Sequence, residues 1–389
     1  MKRRTLAGAV VSLLMAGTIT GTGPALAAVP AADPGPPGTA MALPAPGGHR
    51  PVGRTVLHLE DESRADPWVP GERRELMVSL WYPAVRPSGV PAPYMTGQES
   101  ALYVKANKAF LDANKVVLAD DAFTRVTTHS TVDAKPLRVR GGLPLVVLSS
   151  GFGMPRATLT GLAEELAARG YLVAGIGHNH ESTATAFPDG HTTTCDACGK
   201  APWPEVGAVR ARDVSFVLDR LTGQDGKEAA WKDGASVDTD RIAMVGHSAG
   251  GFSTVPAMLS DPRVKAGVNM DGGFHVLPDR PLDRPLLMMG QPERVPGGPD
   301  ASWQKTWEAA TGWKRWLSVD GTQHLSFTDL AVLTKQLGIR SFQPLDGDRV
   351  DAATRAYVSA FVETHLGCRA APLLDGPSER YPEVRFHQP

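Results

Sequence analysis

Residues 241–252 read RIAMVGHSAGGF, a serine between two glycines at the end of a short apolar run. An apolar strand that runs into G-x-S-x-G and then into a helix lifts the serine hydroxyl onto a sharp turn. Side chains two residues either side would collide with neighbouring backbone there, so glycine is needed at both places. Ser248 is therefore the candidate nucleophile; the competing reading is a tight turn holding an inert serine. A serine hydroxyl attacks a carbonyl only when a base takes its proton and an acid orients that base.

Of the chain's eleven histidines, four follow Ser248: His275, His324, His365 and His387. His275 comes too soon after the strand expected at 265–271. His365 belongs to the last helix, and His387 to the tail. His324, in SVDGTQHLSF, stands in a loop just after the last expected strand, placed to reach back over the sheet. It is the candidate base. The acid is open between Asp271, in GVNMDGGF, and Glu293, in MMGQPERV, each just past a strand; Asp320 reads as a turn residue.

A second group of reactive side chains lies in HNHESTATAFPDGHTTTCDAC (178–198). His178, His180, His191, Cys195 and Cys198 are conceivable metal ligands, but the spacing is not that of a structural zinc motif. A disulfide between Cys195 and Cys198 is expected instead, with Cys368 left over; pairing with Cys368 is the alternative.

These residues need a scaffold. VSLWYPA in 74–84, LPLVVLSSGFG (143–153), YLVAGIGH (171–178), RIAMVG (241–246), KAGVNMD (265–271), PLLMMG (285–290) and WKRWLSVD (313–320) read as strands. Helices are expected in ATLTGLAEELAARG (157–170), near 204–222, from Ala249, and over about 350–366. Strands alternating with helices of this length require an α/β fold with a mostly parallel central sheet covered by helices on both faces. One domain is expected over 51–389, with a cap or loop insertion at about 179–204.

Before that domain, Lys2, Arg3 and Arg4, an apolar stretch from Leu6 to Met15, and Ala25 and Ala27 at the small positions of an A-x-A site form an export signal over 1–27. The stretch is too short to span a bilayer. Residues 28–50, rich in Pro, Ala and Gly, read as a flexible leader. A formal net charge of -1 among 389 residues, with no long basic run, gives no electrostatic reason for nucleic acid or an anionic membrane as partner. No later stretch is apolar enough for membrane insertion, and no cofactor is called for. The oligomeric state is open.

The motifs GHSAGGF, NMDGGF and GTQHLSF, with VSLWYPA and LSSGFGMPRATLTGLAEELAARGYLVAGIGH, resemble the plasma-type platelet-activating factor acetylhydrolases and their bacterial lipase relatives, serine esterases of the α/β-hydrolase fold. The resemblance covers most of 74–366. It implies that Asp271, 23 residues after Ser248, is the acid and that His324 is the base. It also implies an oxyanion hole of the Phe152 amide, in SSGFG, with the Ala249 amide just after the nucleophile. Two departures are visible: Ser150 stands where the family has a histidine, and GHNHEST replaces an acidic–His–Arg–Asp segment. The implied activity is hydrolysis of a lipid-like carboxylic ester by a secreted enzyme. A polyester or xenobiotic esterase, a non-catalytic binding protein of the same fold, and a zinc hydrolase built on 178–198 are the alternatives.

Overall fold

Along the chain, β1 (Val52–Ala65), β2 (Arg73–Pro83), α1 (Gly97–Ala106), α2 (Lys108–Ala113) and β3 (Ser130–Val132) precede the alternating part. β4 (Leu143–Ser149), α3 (Thr160–Ala168) and β5 (Leu172–His178) follow, then a small hairpin of β6 (Thr185–Ala186) and β7 (Thr192–Thr193). After α4 (Trp203–Thr222) come β8 (Val237–His247), α5 (Ala249–Ser260), β9 (Val264–Met270) and β10 (Leu286–Gly290). The chain ends with α6 (Ala301–Ala309), β11 (Lys314–Val319), α7 (Leu330–Gln336), α8 (Gly347–His365) and β12 (Val384–His387). This computed structural model describes residues 41–224, 226–232, 234–367 and 369–388. The export signal, residues 28–40 of the leader and Cys368 lie outside the described residues.

Ten strands form one sheet in the order β12-β11-β10-β9-β8-β4-β5-β2-β1-β3. The run from β5 to β11 is parallel, while β2 and β12 pair antiparallel at its flanks. Each expected strand is present, and the architecture is the expected mostly parallel α/β-hydrolase sheet. Parallel strands are covered on both faces, which explains their unbroken apolar runs. Leu145 and Val147 of β4, with Ile242 and Met244 of β8, join a core that also takes Val206 and Val214 of α4 and Phe252 of α5. The intervening Val146, Leu148, Ala243 and Val245 face a second core with Leu162 of α3 and Tyr357 of α8. Among the described residues, no helix is long and apolar enough to cross a membrane.

The leader needs a correction. Met41 and Leu43 are buried, and the backbone of this segment pairs with Thr127 through Thr127 N–H to Met41 O at 2.8 Å and Leu43 N–H to Thr127 O at 3.0 Å. The packed body thus begins by residue 41, not 51. Two apolar side chains in an otherwise linker-like run find a cluster containing Tyr94, Met95 and Phe123, and that burial offsets the cost of ordering the chain.

The connection that matters for chemistry is the switch at the centre of the sheet. From β4 the chain moves to β5 on one side, then crosses back to lay β8 on the other side. Loops leaving the carboxyl ends of β4 and β8 therefore diverge and leave a crevice, the usual ligand position in open α/β sheets. Those two loops carry Phe152 and Ser248.

Candidate active site

Ser248 links β8 to α5 with φ 54° and ψ -115°, a left-handed backbone that costs a non-glycine residue about 1–3 kcal/mol. The turn closes because its flanks are bare. A Cβ on Gly246 would fall 2.1 Å from the carbonyl carbon of Gly250, and one on Gly250 would fall 1.9 Å from Ser149 O. The end of β4 and the start of α5 thus touch backbone to backbone. Ser248 N–H donates to Met270 O at 2.9 Å, tying the turn to the neighbouring strand.

The structure brings three of the expected residues together. Ser248 Oγ lies 2.8 Å from His324 Nε2, and His324 Nδ1 lies 2.6 Å from Asp271 Oδ2. Asp271 is fully buried, and its other oxygen accepts from Gln291 N–H at 2.9 Å and Arg294 Nε at 3.2 Å. These donors fix the carboxylate, so its free edge faces the imidazole. With Asp271 on Nδ1–H, Nε2 is the acceptor for the serine proton.

The rival residues take no part in this row. Glu293 is exposed, and Asp320 pairs with Arg385 at 2.5 Å on the sheet edge. His365 packs between Trp313 and Phe361, where burial pushes it down to about 4. His387 meets Ser318 Oγ at 2.8 Å.

His247, inside the motif, is wholly buried and hydrogen-bonds His324 O through Nε2 at 2.7 Å. A carbonyl only accepts, so Nε2 carries the proton. Burial, aided by the nearby His324, pushes His247 down to about 3, so the ring stays neutral. It anchors the His324 loop by its main chain. A Cβ on Gly151 would lie 3.0 Å from its Nδ1, so the 150–153 loop lies directly on this ring.

Ala249 begins α5, and its N–H belongs to the first turn, whose amides have no partner within the helix. Phe152 stands in the facing loop. Its ring meets Trp203 edge-on at 5.2 Å; Trp203 stacks on His275 at 5.2 Å and 14°, and His275 packs against Phe252 at 5.0 Å. Trp203 stays 42% exposed, which leaves an aromatic wall beside the candidate oxyanion loop.

The 178–198 side chains do not converge. Cys195 and Cys198 form a disulfide. His178 pairs with Asp213, His180 with Glu72 and Asp196, and His191 with Asp189 and Glu75. Among the described residues no group of three or more His, Cys, Asp or Glu is arranged to hold a metal ion. Much of the insertion is structural: residues 179–187 are largely buried, and Gly153 N–H donates to Glu181 O at 2.7 Å.

Behind the crevice sits a buried ionic cluster that the sequence reading missed. Arg74 donates to both oxygens of Asp213, at 3.1 and 2.6 Å, and to Asp66 at 2.9 Å. Arg210 Nε donates to Glu181 Oε2 at 2.7 Å. Burial alone would raise the Asp213 pKa, but the Arg74 charge and a hydrogen bond from His178 hold its carboxyl well below the usual range. His178 is pushed down by burial and by Arg210, so it stays neutral. It links Asp213 at 2.8 Å to Ser149 Oγ at 2.9 Å, a second Ser–His–Asp row. Ser149 is wholly buried and its oxygen also accepts from Arg210 at 3.2 Å, so a substrate has no access to this row. A sequence signal existed: Arg210 and Asp213 interrupt the apolar stripe of Val206, Val209, Val214 and Val217 on α4.

Comparison with known proteins gives consistent findings. The family described as platelet-activating factor acetylhydrolase, isoform II, matches residues 42–197 and 227–369. A probable 1-alkyl-2-acetylglycerophosphocholine esterase of Arthroderma benhamiae is 29% identical over 380 residues, covering 88% of this chain and 93% of its own. The platelet-activating factor acetylhydrolase of Canis lupus familiaris is 26% identical, over 64% of this chain and 62% of its own. Among solved structures, a ferulic acid esterase from Streptomyces cinnamoneus superposes with a TM-score of 0.78 at 40% identity, covering 90% of this chain and all of the other.

Proposed function

Because the chain belongs to the platelet-activating factor acetylhydrolase, isoform II, family and is a carboxylic ester hydrolase, we propose that it works through an acyl-enzyme on Ser248. The observation that carries this reading is the unbroken hydrogen-bonded row from Ser248 Oγ through His324 to the buried Asp271. Ser248 Oγ attacks the ester carbonyl as His324 Nε2 takes its proton. Negative charge develops on the carbonyl oxygen, and the Phe152 and Ala249 amides stabilise it. The tetrahedral species collapses, the C–O bond to the alcohol breaks, and His324 returns the proton to the departing oxygen. Water, deprotonated by His324, then releases the acyl group. Asp271 holds the imidazole in the tautomer this requires and stabilises its charged form.

The substrate is a lipid-like ester, in the first place a glycerophospholipid with a short sn-2 acyl group, the class named in two relatives. The aromatic wall of Phe152, Trp203, His275 and Phe252, together with the likeness to a ferulic acid esterase, favours a second reading: an aromatic acyl group lying on Trp203. Turnover of 1-alkyl-2-acetylglycerophosphocholine, of p-nitrophenyl esters from acetate to palmitate and of a feruloyl ester separates the two. The first reading expects the short-acyl lipid to lead and activity to fall along the chain-length series; a palmitate optimum would sink it. Under the second, Trp203→Ala lowers feruloyl turnover about two- to tenfold relative to acetate. Equal losses on both would remove Trp203 from acyl recognition.

Export belongs to the same proposal. It is supported by the charged, apolar and A-x-A features of residues 1–27, and a disulfide suits an oxidising compartment. N-terminal sequencing of protein recovered from the culture medium is expected to start near residue 28. Intact Met1 on protein confined to the cell would refute it.

A further inference from the structure

The buried ionic cluster has a geometry that bears on the reaction, because its members grip the chain on both sides of Phe152. On one side, Arg210 Nη1 donates to Ser150 O and, at 3.2 Å, to Ser149 Oγ. On the other, Gly153 N–H donates to the main-chain oxygen of Glu181 at 2.7 Å, and Gly153 O accepts from Thr183 N–H at 3.2 Å and Thr183 Oγ1 at 2.9 Å. The two grips are one unit, since Arg210 Nε and Glu181 Oε2 are 2.7 Å apart and both side chains are almost wholly buried. The other Glu181 oxygen, Oε1, accepts from Trp68 Nε1 at 3.0 Å and lies 3.6 Å from Arg74 Nη2. Only Gly151 and Phe152 lie between the clamped residues, and Gly151 is pressed against His247.

We infer that the Arg210–Glu181 ion pair positions the oxyanion hole by fixing the main chain on both sides of the Phe152 amide. Neither residue touches the substrate; both are positioning residues. The inference rests on the reading of Ser248 as nucleophile and of the Phe152 amide as oxyanion donor. A donor aimed where charge develops is effective only if it does not have to reorganise during the reaction. A short glycine-flanked loop does not meet that condition unaided. A salt bridge without access to water does, because its partners have no competing solvent to turn to.

The test compares p-nitrophenyl acetate with p-nitrophenyl thionoacetate, in which sulfur replaces the carbonyl oxygen. Sulfur is larger and a weaker acceptor, so a well-placed hole favours the oxygen ester. Arg210→Lys keeps the charge but loses the fork that spans Glu181 and Ser150; Glu181→Gln keeps the shape but loses the charge. Both are expected to lower kcat for the oxygen ester about 10²-fold, the scale of a lost or misplaced donor. KM should stay within about threefold. The thionoester should lose much less, so the oxygen-over-sulfur preference should fall about tenfold or more.

Parallel losses on both esters would overturn the inference, because they mean general damage and not a displaced donor. Unchanged kcat would overturn it equally. Glu181→Gln, the gentler change, serves the comparison alone if Arg210→Lys does not fold. The parent reading fails differently: the wild-type enzyme would show no preference for the oxygen ester, or Ser248→Ala would remain active.

Discussion

Ser248→Ala is expected to lower kcat for p-nitrophenyl acetate on the order of 10⁵- to 10⁶-fold while leaving the protein folded. On the proposed mechanism the change removes the atom that would form the covalent intermediate; what remains is whatever water gains from binding and the proposed oxyanion hole. Folding is spared because alanine keeps the Cβ that serine already carries at φ 54°, so the turn meets no new strain. The orphaned His324 Nε2 is also tolerable, since that side chain is 43% exposed and water can replace the hydroxyl. Steady-state rates beside an unchanged circular dichroism spectrum make the measurement. Activity within tenfold of wild type would place the nucleophile elsewhere and reopen the 178–198 segment.

Asp271→Asn should cost about 10⁴-fold in kcat with little change in stability. The donors around the carboxylate explain why so small a change has so large an effect. One oxygen accepts from Gln291 N–H and Arg294 Nε, the other from His324 Nδ1. An asparagine that keeps its oxygen toward Gln291 and Arg294 turns its NH₂ on the imidazole, donor against donor. The ring then moves its proton to Nε2, where it cannot accept from Ser248. The flipped asparagine serves the histidine but opposes a backbone N–H and a guanidinium. No orientation satisfies the donors on one side and keeps the productive tautomer on the other. Glu293→Gln, at the exposed rival position, should stay within twofold of wild type. Asp271→Asn within tenfold of wild type, or a large loss at Glu293, would transfer the acid role.

Both variants concern residues that were legible before any fold was known, and the reason is physical. β4, β10 and the second half of β8 are buried on both faces and read as apolar runs, and β9 is mostly so, with Lys265 and Asn269 as breaks; reactive residues just past such runs stand out. β1 did not stand out. It alternates buried and exposed positions and runs into EDESR, so the apolar signal fades along an outer strand. The helices α6 and α7 are only nine and seven residues long, too short to give a strong periodic signal. The ionic cluster was hidden for the opposite reason. Arg74, Arg210, Glu181 and Asp213 are charged residue types whose ordinary place is the surface, and only tertiary contact reveals that each is matched by a partner from a distant segment. Choosing Asp271 over Glu293 also needed more than local pattern, because both follow a strand. The resemblance favours Asp271, and in the fold Asp271 faces inward while Glu293 faces solvent.

The backbone angle at Ser248 has a consequence for how this position can change over time. At φ 54° glycine would be the more comfortable residue, and serine holds the place at an energetic disadvantage. Stability by itself therefore drives the site away from its present identity. A lineage released from the need to turn over esters would gain robustness by drifting to glycine here, with the surrounding architecture intact. What a descendant carries at 248 would then record whether its ancestors kept using the site.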